Sequence, residues 1–244
     1  MQQGFLKTAA ATPKTRVADC EYNGEQIISL IQSASHQGVK ILVFPELTIT
    51  SYSCGDLFFQ NALQSQAKKI LQKIVNTAKL LDILCVVGLP LAVDSKLYNC
   101  AAVFHKGKIL GIVPKSNIPN YGEFYEYRNF SPASAENKTI ELFGKTVPFG
   151  TKLLFACPQL PQLKIGVEIC EDLWVPCPPS IFHAAAGATV ILNLSASDEL
   201  IGKRDYRRQL IASHSAQLIC GYLYANAGEG ESTTDLVFAG GNLI

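Results

Sequence analysis

The sequence predicts an α/β protein in which sheets are covered by helices. Two observations lead there. Short apolar runs of strand length alternate with longer stretches at helical spacing, and several strands follow one another across turns too short for a crossover helix. Hairpin-linked strands exclude a purely parallel, doubly wound sheet, while one mixed sheet and a two-sheet sandwich both satisfy the pattern. With 244 residues, 48% of them hydrophobic, the chain can bury one large core and suits one domain better than two.

Phe5 to Thr12 reads as the first strand, closed by Pro13. Ile27, Leu30, Ile31 and Ala34 fall at helical spacing, with Gly38 as the stop. Val39 to Phe44 is a buried strand that Pro45 ends, and Leu57 to Leu80 reads as a helix. Ile83 to Gly88, Tyr98 to His105 and Ile109 to Val113 follow as strands, the last two joined by a turn at Lys106-Gly107-Lys108. Ser116 to Lys138 is long, polar and aromatic, without periodicity; a loop of that length in a compact domain is functional or mobile. Ile140 to Pro148 is a small hairpin around Gly144, and Lys152 to Ala156 and Leu163 to Val167 are strands. Then come a short helix (Ser180 to Ala186), a strand (Thr189 to Leu194), a helix (Arg204 to Ile219) and a strand (Gly221 to Ala227). No repeat or low-complexity tract interrupts the series.

A formal net charge of +1 gives no footprint for nucleic acid or an anionic membrane. No apolar run reaches the roughly 20 residues of a bilayer crossing, and Met1 to Ala11 lacks the order of a secretory signal. The expectation is a soluble, cytoplasmic protein with no nucleic-acid or membrane partner. Eight cysteines include no C-x-x-C pair, and the four histidines are scattered, so neither a zinc-finger type metal site nor a disulfide framework is expected. Cys85, Cys100 and Cys220 read as small buried hydrophobes.

Three polar residues fall where a strand gives way to a loop, the place where chemistry tends to collect. Glu46 follows Val39–Phe44, Lys115 follows Ile109–Val113, and Cys170 follows Leu163–Val167. Taken singly, a Glu beside Pro is an ordinary solvated carboxylate and a Lys after Pro ordinary surface charge. Cys170 is odder, because Glu168, Glu171 and Asp172 would raise its pKa and blunt it as a nucleophile. A Glu that takes the thiol proton and a Lys that holds negative charge would compensate.

That set resembles the nitrilase superfamily of carbon–nitrogen hydrolases, which use a Glu–Lys–Cys triad. The surrounding words resemble its branch formed by the amidase domains of glutamine-dependent NAD synthetases. They are Pro114-Lys115-Ser116-Asn117-Ile118-Pro119-Asn120-Tyr121, Gly122-Glu123-Phe124-Tyr125-Glu126-Tyr127-Arg128, Val167-Glu168-Ile169-Cys170-Glu171-Asp172-Leu173-Trp174 and Asn193-Leu194-Ser195-Ala196-Ser197. The resemblance covers essentially all of residues 1–244 and implies a four-layer α-β-β-α sandwich, here expected to lack its last C-terminal strands.

It also implies roles. Cys170 would be the nucleophile, Glu46 the base, and Lys115 with the backbone N–H of Glu171 the oxyanion donors. Tyr121, Ser197 and Lys203 match the positions that hold glutamine, although the position matching Lys203 is usually Arg and Lys lacks its fork. Tyr121 also suits a packed loop aromatic. Tyr52, Phe124, Glu126 and Trp174 are candidates to line or order the pocket, and Glu126 suits either a partner of Lys115 or a solvated loop position. No metal and no cofactor is expected here. ATP, Mg and deamido-NAD belong to a synthetase domain whose Ser-Gly-Gly-x-Asp-Ser type loop does not occur; Ala239-Gly240-Gly241-Asn242 lacks the serine and aspartate. The expectation is part of a longer parent or a truncated gene, with L-glutamine, the synthetase domain and a homo-oligomer as partners. A free-standing amidase acting on an ω-amide or carbamoyl substrate, and a non-catalytic assembly domain, are the alternatives.

Overall fold

The computed structural model describes residues 5–244; Met1 to Gly4, the start of the stretch read for a secretory signal, lie outside the described residues. Two sheets form. The first contains β1 (Thr8–Ala10), β2 (Ile41–Val43), β3 (Leu84–Val93), β4 (Lys96–His105), β5 (Lys108–Pro114), β6 (Lys138–Leu142) and β7 (Lys145–Phe149), in the order β1-β2-β3-β4-β5-β7-β6. The second contains β8 (Phe155–Cys157), β9 (Leu160–Ile169), β10 (Val190–Ser195) and β11 (Gly221–Asn226), in the order β11-β10-β9-β8. Leu243 adds an antiparallel bridge to Tyr224 on the β11 edge.

The strand alternation of side chains sorts the sequence into layers. Ile41, Val43, Val86, Ala101, Val103 and Val113 of the first sheet meet Ile165, Val167, Leu192, Leu194 and Leu223 of the second in one buried cluster. The residues between them face the other way. Leu42, Cys85, Val87, Ala102 and Phe104 pack under α1 (Cys20–His36) and α2 (Asn61–Thr77), through Ile27, Ile31, Ile70 and Ile74. Ile191, Tyr222 and Tyr224 pack under α3 (Pro179–Ala185) and α4 (Lys203–Leu218), through Ala184 and Ile211. The stack is therefore α-β-β-α. Each fully buried aliphatic side chain contributes about 1.5–3 kcal/mol of burial.

Local chemistry sets the ends of the elements. The Asp19 side chain accepts the N–H of Tyr22 and starts α1, and Gly38, at φ 78°, lets the chain leave it. Two expectations need correction. The helix read over Leu57–Leu80 breaks at Gln60, which is extended (φ −77°, ψ 120°); α2 covers only Asn61–Thr77, between 3-10 segments at Tyr52–Phe59 and Ala78–Leu80. Periodicity averages over a single extended residue and does not see it. β3 runs on to Val93 through Pro90, past the end read at Gly88. Pro90 is tolerated because β2 pairs with β3 only as far as Val86, leaving a strand neighbour on one side. Asp94 and Ser95, both at positive φ, then close the β3–β4 hairpin. No helix of the described residues is long and apolar enough to cross a membrane.

Candidate active site

The ends of β2, β5 and β9 bring Glu46, Lys115 and Cys170 to one edge of the sandwich. The loop carrying Glu46 lies flat on β3. A Cβ on Gly88 would stand 2.3 Å from Leu47 N and 2.8 Å from Pro45 O, so only glycine allows this approach. Glu46 is fully buried. Its Oε1 accepts from Lys115 Nζ at 2.7 Å and from Asn99 Nδ2 at 2.6 Å, and its Oε2 accepts from the backbone N–H of Ala196 at 3.0 Å. Lys115, also fully buried, donates again to Glu126, at 2.8 Å to Oε1 and 3.0 Å to Oε2. Tyr52 donates its hydroxyl to the same Glu126 Oε1 at 2.7 Å.

One buried ammonium thus sits between two buried carboxylates. Burial pushes the Glu46 carboxyl up to about 7; the Lys115 charge opposes that and the Glu126 charge adds to it. Burial works against the charged form of Lys115, but Glu126 and Glu46 outweigh it and hold the ammonium well above its ordinary range. The Cys170 thiol lies within the field of all three. Burial first and the Glu46 charge second push its pKa well above the ordinary value, while Lys115 and the N–H of Ala196 pull the other way. At neutral pH the sulfur is therefore a thiol. Cys170 occupies left-handed backbone space, φ 43°, and opens a short 3-10 turn, Cys170–Leu173. The first N–H groups of such a turn, Glu171 among them, are not used by the helix itself.

Five of the other candidates sort into two groups, with Tyr121 and Ser197 outside both. Glu126 and Tyr52 belong to the buried charge array. Phe124, Trp174 and Lys203 form an adjoining wall, with Lys203 Nζ lying 5.6 Å from the centre of each ring and ion-paired with the buried Asp198. Tyr121 is 58% exposed; its hydroxyl donates to the carboxylate of Glu171 at 3.0–3.1 Å, while its ring meets Phe124 edge-on. It is therefore both a packed aromatic and a partly exposed polar group beside Glu171. Ser197 is buried, and its backbone is fixed by Asn226 through bonds of 2.8 and 2.9 Å. No group of three or more His, Cys, Asp or Glu side chains among the described residues is arranged to hold a metal ion.

Several site residues escaped the sequence reading. Asn99 supports Glu46, and Asn193 Oδ1 accepts the N–H of Cys170 at 3.2 Å. Glu231 accepts the Tyr52 N–H at 2.9 Å and the Ser51 hydroxyl, fixing the strand of loop that carries Tyr52. For the two asparagines a signal existed, because each interrupts an apolar strand where a buried polar side chain must find partners. Glu231 lies in a Gly-rich stretch with no pattern to flag it.

The carbon-nitrogen hydrolase family model matches residues 7–234. A glutamine-dependent NAD(+) synthetase of Mycobacterium tuberculosis (strain H37Rv) is 45% identical over 244 residues, which is 100% of this chain and 36% of the relative. The Homo sapiens glutamine-dependent NAD(+) synthetase is 33% identical over 218 residues, 85% of this chain and 30% of that protein. This chain thus spans about a third of the length of these relatives. Among solved structures, a glutamine-dependent NAD(+) synthetase from Cytophaga hutchinsonii superposes with a TM-score of 0.84 at 31% identity, over 96% of this chain and 39% of that one. An amidase from Nesterenkonia sp. gives 0.73 at 20% identity over 98% of this chain and 81% of that one, a likeness of fold.

Proposed function

The chain belongs to the carbon–nitrogen hydrolase family, and from that premise we propose that residues 1–244 form a glutamine amidohydrolase domain acting through a Cys170 thioester. The observation that carries this reading is the buried Glu46–Lys115–Glu126 array beside the Cys170 thiol. An amide is a poor electrophile with a poor leaving group, and a covalent route divides its hydrolysis into two easier steps.

Glu46 accepts the thiol proton as the sulfur attacks the side-chain amide carbon. The oxyanion of the tetrahedral intermediate takes hydrogen bonds from Lys115 Nζ and the Glu171 backbone N–H. Glu46 then passes its proton to the amide nitrogen, the C–N bond breaks and ammonia leaves. Water attacks the thioester, giving one proton to Glu46; the C–S bond breaks, the sulfur recovers the proton, and glutamate departs. A base poised near neutrality suits both proton transfers. Tyr121, Ser197 and Lys203 are the groups assigned to the α-ammonium and α-carboxylate of glutamine, with Phe124 and Trp174 walling the pocket.

The parent protein, on this reading, is a glutamine-dependent NAD synthetase that aminates deamido-NAD at the expense of ATP. This domain supplies the ammonia, and ATP, Mg and deamido-NAD bind the synthetase domain. The likeness to the mycobacterial and human relatives supports that assignment. A diazo-ketone analogue of glutamine tests the nucleophile: one equivalent should add, mapping to Cys170, with the seven other cysteines as internal controls. Label found mainly on the exposed Cys177 would overturn the assignment. Ammonia release from glutamine, asparagine and simple amides tests the substrate.

A further inference from the structure

The Glu46 carboxylate, the Lys115 ammonium and the thiol do not share a sheet. Glu46 and Lys115 leave the first sheet, at β2 and β5, whereas Cys170 leaves the second, at β9. Between the sheets lies apolar packing, chiefly Val, Ile, Leu and Ala. Such packing sets a spacing but, being non-directional, sets sliding poorly. Something polar must fix the register of one sheet against the other at the site. For the Glu46 arm this is visible: Glu46 Oε2 accepts from Ala196 N, just beyond β10.

We propose that Asp172 is the positioning residue that does the same for the Lys115 arm, tying it to the turn that carries Cys170. The side chain is 1% exposed. Oδ2 accepts the N–H of Ile169, the residue before Cys170, at 3.0 Å, and makes a longer contact of 3.4 Å with the N–H of Ser116, the residue after Lys115. Oδ1 accepts two bonds from Asn117, from its backbone N–H at 2.8 Å and from Nδ2 at 2.9 Å. A single buried carboxylate therefore receives donors from both arms. Every group that hydrogen-bonds to it is a donor, which suits an ionised carboxylate, an acceptor only. Displacing a reacting group by about 1 Å can cost on the order of 10² in rate, so the bridge bears on chemistry although Asp172 touches neither substrate nor the reacting atoms. This role rests on the amidase reading above.

The test compares the wild-type chain with Asp172→Asn and Asn117→Ala. Asp172→Asn keeps the shape but turns an amide NH2 toward groups that are already donors. Asn117→Ala removes one of the four contacts and leaves the carboxylate in place. Three readouts are taken: kcat and KM for glutamine, the rate of Cys170 alkylation by iodoacetamide mapped by mass spectrometry, and the thermal melt. Asp172→Asn is expected to lower kcat by about 10²-fold with KM within a factor of about two, and to change the alkylation rate of Cys170. Asn117→Ala is expected to shift both in the same direction by a smaller factor, with an unchanged melt. A folded Asp172→Asn chain with wild-type kcat and alkylation rate overturns the proposal. If Asp172→Asn does not fold, an Asn117→Ala chain that retains wild-type kcat and alkylation overturns it instead. A wild-type chain inert toward glutamine defeats the amidase reading, but the alkylation arm still decides whether Asp172 places the thiol.

Discussion

Replacing Glu126 by Gln tests how the base is tuned. The substitution preserves size and leaves an oxygen for the Tyr52 hydroxyl, but removes one of two negative charges around Lys115. Because Lys115 Nζ touches Glu46 at 2.7 Å and Glu126 at 2.8 Å, the two carboxylate oxygens lie at most about 5.5 Å apart. At an effective dielectric constant of about 20, two unit charges at that separation repel by about 3 kcal/mol, or roughly two pKa units. That is the repulsion at the largest separation the two contacts allow, and relaxation of Lys115 and its neighbours reduces it. Glu126 disfavours the ionised form of Glu46, so its removal lowers the Glu46 pKa from about 7. The freed share of the Lys115 charge acts in the same direction. In kcat/KM the acid limb reports the base in the free enzyme. It is expected to move down by one to two units in Glu126→Gln, while the plateau above it falls because the weaker base takes the thiol proton less readily. The assay is glutamate release between pH 4.5 and 9, with melts confirming a folded chain. An acid limb that stays in place, or moves up, refutes this account of the charge array.

Gly88→Ala should drive a Cβ into the backbone of the Glu46 loop; kcat is expected to fall about 10²-fold with a loss of about 1–3 kcal/mol of stability. Gly144→Ala, in the β6–β7 turn with open space around it but φ 69°, should cost about 1–2 kcal/mol and leave kcat unchanged, as steady-state rates and melts of both variants will report. Glu46 should also tie stability to pH. Its folded pKa is raised, so its favourable contribution is complete below its unfolded pKa, near 4.3–4.5, and is lost as pH rises through about 7. Melting temperatures of wild type and Glu46→Gln between pH 4 and 8 isolate it from the opposing slopes of His183 and His214, whose pKa values burial lowers; the wild-type curve should fall more with rising pH, and parallel curves would refute the assignment.

The fold was legible where pattern is local. The apolar runs at Val39–Phe44, Leu163–Val167 and Thr189–Leu194 announced β2, β9 and β10, with bounds close for β10 but too long for β2 and too short for β9, which runs Leu160–Ile169. Elements were misjudged where one residue overrides an average, as Gln60 does between the 3-10 turn and α2. The pairing of β5 with β7 across the unpatterned Ser116–Lys138 segment was not legible at all, because nothing local records which edge a returning hairpin joins. For the site, residues with reactive side chains at strand ends could be named from the sequence. Among their supports, Glu126 was a candidate from the sequence and Asn99 and Asn193 were marked only as polar interruptions of apolar strands, whereas nothing local tied Glu231 to Ser51, 180 residues away along the chain.

The supports matter because burial is both the tuning device and the cost. Glu46, Glu168, Asp172 and Glu231 are all pushed upward first by burial, and each is then drawn back by hydrogen bonds or, at Glu46, by the Lys115 charge. For Asp172 the opposing donors leave the carboxyl at about 6, still ionised at neutral pH and so still an acceptor for both arms. For Glu46 the balance is different, because its donors are a shared ammonium, one amide side chain and one backbone N–H. Were Lys115 paired with Glu46 alone, the whole cation would favour the ionised carboxylate and leave a weak base. Burial is the largest cause that raises Glu46, and the charge of Glu126, which engages Lys115 through both its oxygens, adds to it against the Lys115 charge. The same ammonium stays protonated beside the two carboxylates. The Glu46 carboxyl at about 7 therefore reflects burial first, with Lys115 and Glu126 pulling in opposite directions.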